Sequence, residues 1–149
     1  MSQELKFKVK YRVPPHIIYE ALTNQDMILK YTQTPAKFDK TPGSKFMLYD
    51  GNIQGTNIEL QENKKIVQEW KFCTWEQYAE LTLDFKERAG NESTIFVSMK
   101  NIPKLDKTNR IIEPRVVENG WHSQIFKKIN DYCGYPLNGD KTDSEDDDN

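Results

Sequence analysis

Residues 53–72, IQGTNIELQENKKIVQEWKF, decide the fold. Polarity changes with a period of two, and Glu62-Asn63-Lys64 supplies turn chemistry in the middle. The stretch therefore reads as two antiparallel strands, 53–62 and 65–74, folded back on each other. In the first of them the apolar parity slips, from Ile53 to Ile58 and Leu60. Gly55 lies between and suggests a bulge, the device that bends a sheet around a core.

The same period extends outward. Strands are expected at 45–50, 78–86 and 93–100, with turns at Asp50-Gly51-Asn52 and Gly90-Asn91. Five strands on short turns make an antiparallel meander. Upstream, Leu5, Phe7, Val9, Tyr11 and Val13 alternate with Lys6, Lys8, Lys10 and Arg12, which is a half-buried strand with a basic outer face. Pro14-Pro15 stops it and can open a helix, since a first turn needs no N–H from proline. Ile17, Ile18, Ala21 and Leu22 then fall at helical spacing, and a second short helix is expected over 26–31. Downstream, a looser stretch over 102–117 contains Pro103 and Pro114. The last element is a helix over 118–132, with Trp121, Ile125 and Ile129 on one face, closed by Gly134 and Pro136.

This order predicts an α+β helix-grip fold. A curved six-stranded antiparallel sheet packs on a long C-terminal helix, with two short helices after strand 1. Residues 1–138 form a single domain. Residues 139–149 hold six acids and one lysine and are expected to be a disordered acidic tail. The whole chain of 149 residues carries −2, so the domain without that tail is mildly basic. That excess is too small and scattered to imply nucleic acid. No signal-peptide core opens the chain, and no stretch approaches ~18 apolar residues. A cytoplasmic protein without membrane contact is expected, with Cys73 and Cys133 as reduced thiols.

Catalytic chemistry finds little support. The two histidines, His16 and His122, are far apart, and His122 is expected on the surface. Phosphate-cradling, metal-binding and nucleophile-elbow motifs are absent, so no cofactor and no metal are expected. Glu69, Glu80 and Asp84 read as solvated outer-face positions rather than a convergent acid–base pair. The aromatics Phe46, Trp70, Phe72, Phe85 and Trp121, with Ile125, either line a cavity between sheet and helix or fill the core; filling is the simpler reading. Trp75, beside a turn, is a candidate exposed anchor, with edge packing as the alternative. Lys6, Lys8, Lys10 and Arg12 are candidates for docking an acidic partner, or guard an edge strand against aggregation. Lys104, Lys107 and Arg110 are further partner-binding candidates in the 102–117 stretch. Ser144, ahead of Glu145-Asp146-Asp147, suits an acidophilic kinase.

Several segments together resemble a known family. Glu20-Ala21-Leu22-Thr23, Gly43-Ser44-Lys45-Phe46 and Asp50-Gly51-Asn52-Ile53-Gln54-Gly55 come first. Ile66-Val67-Gln68-Glu69-Trp70-Lys71-Phe72, Ile102-Pro103, Asn119-Gly120-Trp121 and Gly134-Tyr135 follow in order. The set resembles the C-terminal domain of the activator of heat-shock protein 90 ATPase, within the START-like, helix-grip superfamily. The resemblance implies a monomeric co-chaperone, not an enzyme. It would contact the N-terminal ATPase domains of heat-shock protein 90 and favour their closed, paired state. Full-length members carry an upstream domain that opens with a tryptophan- and asparagine-rich motif, whereas the first tryptophan here is Trp70. Weak binding and little ATPase stimulation alone are therefore expected. The alternative is a carrier of a hydrophobic small molecule, which needs an apolar cavity of ~300 Å³ or more.

Overall fold

The computed structural model describes residues 2–138; the acidic segment and Ser144 lie outside them. Strand β1 (Ser2–Tyr11) leads into helices α1 (Pro15–Thr23) and α2 (Gln25–Thr32). Strands β2 (Lys45–Leu48), β3 (Ile53–Gln61), β4 (Lys65–Phe72), β5 (Ala79–Arg88) and β6 (Glu92–Pro103) follow. They pair antiparallel in the order β1-β6-β5-β4-β3-β2, so the meander is completed by β1 returning to the far edge. Helix α3 (Pro114–Trp121), a π turn (His122–Phe126) and helix α4 (Lys127–Cys133) run on as one long element. The helix-grip architecture is as the sequence predicts.

Local chemistry explains the joints. Asn24 ends α1 through its N–H to Glu20 O and starts α2 by accepting from Met27 N at 3.1 Å. The core is the inner face of the sheet, with Phe7, Tyr11, Trp70, Leu81 and Val97 buried against Val117, Trp121, Ile125, Phe126 and Ile129. Each such side chain contributes ~1.5–3 kcal/mol on burial.

Several boundaries differ from the sequence reading. The long helix begins at Pro114, one turn earlier than expected, because proline costs nothing at a first helical position. Strand β6 runs on to Pro103, and β1 stops at Tyr11. The bulge is real but sits between Asn57 and Glu59, not at Gly55. Gly55 instead permits a close approach: a Cβ there would lie 1.9 Å from Glu69 O and 2.7 Å from Phe46 Cζ.

Candidate functional site

Three places on this frame could carry function. The first is a cleft of about 210 Å³ where the β2–β3 turn meets the π turn. Of the six candidates for cavity lining, Trp70, Phe72, Trp121 and Ile125 border it, with Tyr49, Asn52 and Gln124 at its polar rim. Phe46 and Phe85 do not: Phe46 packs on Phe38, and Phe85 on Tyr19. Trp70 stacks on Trp121 with centroids 5.6 Å apart. Trp75 is no exposed anchor. It is 2% exposed and meets the Trp70 and Phe72 rings edge-on, because the chain turns it under the end of β4. Tyr49 holds a left-handed backbone (φ 53) and donates its hydroxyl to Gln124 O. Burial, then the charge of Tyr132, pushes its hydroxyl pKa up to about 12. The cleft is smaller than an apolar cargo needs, so these aromatics act mainly as core.

His122 is not a surface residue: its side chain is 12% exposed, tilted against the Phe7 ring with centroids 4.8 Å apart and 3.4 Å from Glu118 Oε2. The long helix lies over β1 as well as the sheet centre, so the flank that carries His122 is covered. His16 stays exposed on α1. Burial pushes the Cys133 thiol up, the opposite of activation. Among the described residues, no three of His, Cys, Asp and Glu are grouped as a metal would need.

The second place is the outer face of β1 and its neighbours. Lys6 and Arg12 are exposed and Lys10 is half-buried, in keeping with a basic face. Lys8 departs from that expectation: it is 8% exposed. It pairs across β6 with Phe96 and shares a shallow groove with Lys6, Asp84, Phe96 and Lys100, whose bulk shields its stem. Phe96, 38% exposed, gives this face an apolar centre.

The third is the loop over 104–113. It closes on a Leu105–Ile111 bridge, and Asp106 Oδ1 accepts from Thr108 N, Thr108 Oγ1 and Arg110 N at 2.8, 2.8 and 3.0 Å. The Arg110 and Thr108 hydrogen bonds hold the Asp106 carboxyl below the usual carboxylate range. This firm tip shows Ile111 (76% exposed) and Leu105 (48%) beside exposed Lys104, Lys107 and Arg110, with Val116 (62%) one helical turn on. Gln3 Nε2 donates to both Pro103 O and Ile112 O, so the start of β1 and the base of this loop form one corner. Of the basic candidates, Lys104, Lys107 and Arg110 thus adjoin the start of β1, while Lys10 and Arg12 lie toward its other end. The apolar residues among them were missed in sequence, although the doublet Ile111-Ile112 was a signal: alternate faces let only one of them be buried.

The family description "Activator of Hsp90 ATPase homolog 1-like protein" matches residues 12–134. The chain belongs to this family. Among the family's curated relatives, the Activator of 90 kDa heat shock protein ATPase homolog 1 of Homo sapiens is 27% identical over 134 residues, covering 89% of this chain and 37% of that protein. The Dictyostelium discoideum homolog is 29% identical over 136 residues, covering 90% and 34%. The chain therefore spans about a third of the length of these relatives. The crystal structure of an HSP90 activator from Plasmodium falciparum superposes with a TM-score of 0.85 at 28% identity, covering 91% of this chain and 99% of that one. Among the described residues, no helix is long and apolar enough to cross a membrane.

Proposed function

We propose that this chain is a cytoplasmic, monomeric co-chaperone module that binds a heat-shock protein 90 ATPase and modulates its turnover. The family match over residues 12–134 carries the reading, supported by the likeness to the Plasmodium activator. Such a module works by differential binding. It speeds turnover only if it holds the closed N-terminal dimer better than the open one, and ~1.4 kcal/mol of preference shifts that ratio tenfold. The corner joining β1 to the 104–113 loop is the contact surface: apolar Ile111 and Leu105 supply buried area, and the surrounding lysines and Arg110 steer toward an acidic partner. A single contact lacks the ~10²–10⁴ that a linked second one adds through effective concentration, so binding by this chain alone is weak.

The test is titration of the chain into the same organism's heat-shock protein 90, with and without a non-hydrolysable ATP analogue, followed by NMR. Saturable binding that tightens with the analogue supports the reading and places its action in the closed state. No binding at hundreds of micromolar overturns it.

A further inference from the structure

Two departures from ordinary helix chemistry converge on the cleft beside the π turn. The first is Gly120, which lines it from the last turn of α3. Glycine inside a helix is less stable than alanine, because it loses more backbone freedom on folding. No demand of the fold accounts for it here. The Gly120 backbone lies outside the left-handed region, and a Cβ would meet nothing within 4 Å. The second departure is Trp121, next in sequence and lining the same cleft. It is 6% exposed, and its indole N–H has no acceptor among the described residues. A buried tryptophan N–H usually finds one, since leaving it without forfeits its hydration.

Both features serve an incoming polypeptide. A glycine position lets a second main chain approach the helix closely, and the tryptophan beside it offers a donor to whatever enters. At about 210 Å³ the cleft has room for one large side chain and falls below the ~300 Å³ at which pockets for drug-sized ligands begin. Its place on the surface fits a protein occupant too. Two residues past Phe72, which walls the cleft, Thr74 O accepts from Lys107 N at 2.9 Å, so the end of β4 also braces the 104–113 loop. Val117 lines the cleft, while its neighbour Val116 belongs to the exposed apolar group of the contact corner.

We propose that this cleft is an anchor pocket for a tyrosine side chain of the heat-shock protein 90 partner. The ring packs among Trp70, Phe72 and Ile125, and the hydroxyl oxygen accepts from the Trp121 indole N–H. Tyrosine suits such a lining because it joins an apolar body to a polar tip, and a single aromatic in a pocket commonly carries much of an interface. The occupant rests on the function proposed above; the pocket's preference for a phenol does not.

p-Cresol, the tyrosine side chain without its main chain, tests the pocket by NMR on the full chain. It is expected to move the Trp121 indole signal saturably at millimolar concentration. Toluene, which has no acceptor, is expected to bind at least about fivefold more weakly. Gly120→Leu puts a side chain where there is space for it and should abolish the cresol shift. Gly120→Ala is the milder block: it should weaken cresol several-fold while unfolding at no lower urea concentration than wild type. No saturable shift, or toluene binding as well as cresol, overturns the pocket. The heat-shock protein 90 titration is then repeated with the cresol-blind variant, which is expected to bind at least about tenfold more weakly than wild type. Unaltered affinity overturns the tyrosine anchor and leaves the co-chaperone function in place. Absence of binding by the wild-type chain overturns that function and its occupant together, with the cresol result still standing.

Discussion

The Tyr11 hydroxyl, on β1, donates to the main-chain oxygen of Phe126 at 2.6 Å. From the far side of the sheet, the Tyr49 hydroxyl does the same for Gln124. Both oxygens lie in the π turn, where Lys127 N–H reaches back five residues to His122 O. Widening a helix by one residue leaves neighbouring carbonyls short of their usual donors, and two tyrosines from the sheet make up the deficit. The π turn is thereby fastened to both edges of the core it covers.

Tyr11→Phe removes one fastening inside the core and strands the Phe126 carbonyl. It is expected to cost about 1–3 kcal/mol in urea unfolding. Tyr49→Phe, at a more open position, is expected to cost less. Two losses near zero would mean that packing of Trp121, Ile125 and Ile129 holds the π turn unaided.

The same hydroxyls set an alkaline limit. Burial is the main cause that raises the pKa values of Tyr11 and Tyr31, and it takes Tyr49 to about 12. In the unfolded chain a tyrosine ionises near 10. Below that value both states hold the proton and the contribution is complete. Above it the unfolded chain binds fewer protons than the folded one, so stability falls as pH rises toward the folded values. Urea midpoints are expected to be level across neutral pH and to drop steeply from about pH 10 upward. Tyr31→Phe should make that drop shallower; an unchanged slope would place the titration elsewhere.

The sequence made the architecture legible because its periods are strong. Ile66, Trp70 and Phe72 in β4, or Trp121, Ile125 and Ile129 in the last helix, cannot be arranged another way without exposing aromatics. Positions governed by tertiary neighbours were less legible. Lys8 has the parity of a solvated residue, yet it is buried in the groove it shares with Phe96 and Asp84. His122 has the angle of a surface residue, yet β1 extends beneath it. The π turn has no local mark at all. Nor did parity alone locate the bulge, because the glycine that drew attention, Gly55, meets a different need.

That need makes a sharp test. Gly55 pairs with Phe46 on one side and Trp70 on the other, and its missing Cβ is where the Phe46 ring and the Glu69 carbonyl come together. The carbonyl is backbone and cannot swing aside. Gly55→Ala is expected to destabilise by about 3 kcal/mol or more, at the upper end for overpacking. Phe46→Leu in the same chain relieves only the ring contact and should restore little. A Gly55→Ala protein as stable as wild type would show that β3 and β4 can part at this point without loss.

The contact corner separates two contributions that are usually confounded. Ile111 and Leu105 are exposed, so changing both to serine should alter stability by no more than ~0.5 kcal/mol. If they anchor the partner, the double variant weakens binding at least tenfold at every salt concentration, since apolar burial is little screened. Charge reversal belongs at Lys6 and Lys10 rather than Lys8, whose burial would turn a binding test into a folding test. Lys6→Glu with Lys10→Glu should slow association and flatten its dependence on salt, with a smaller effect on dissociation. Stopped-flow association and dissociation with heat-shock protein 90 at several salt concentrations read both changes. Loss through the lysines with none through Ile111 would move the anchor onto the β1 face around Phe96. The reverse would make the loop the whole site.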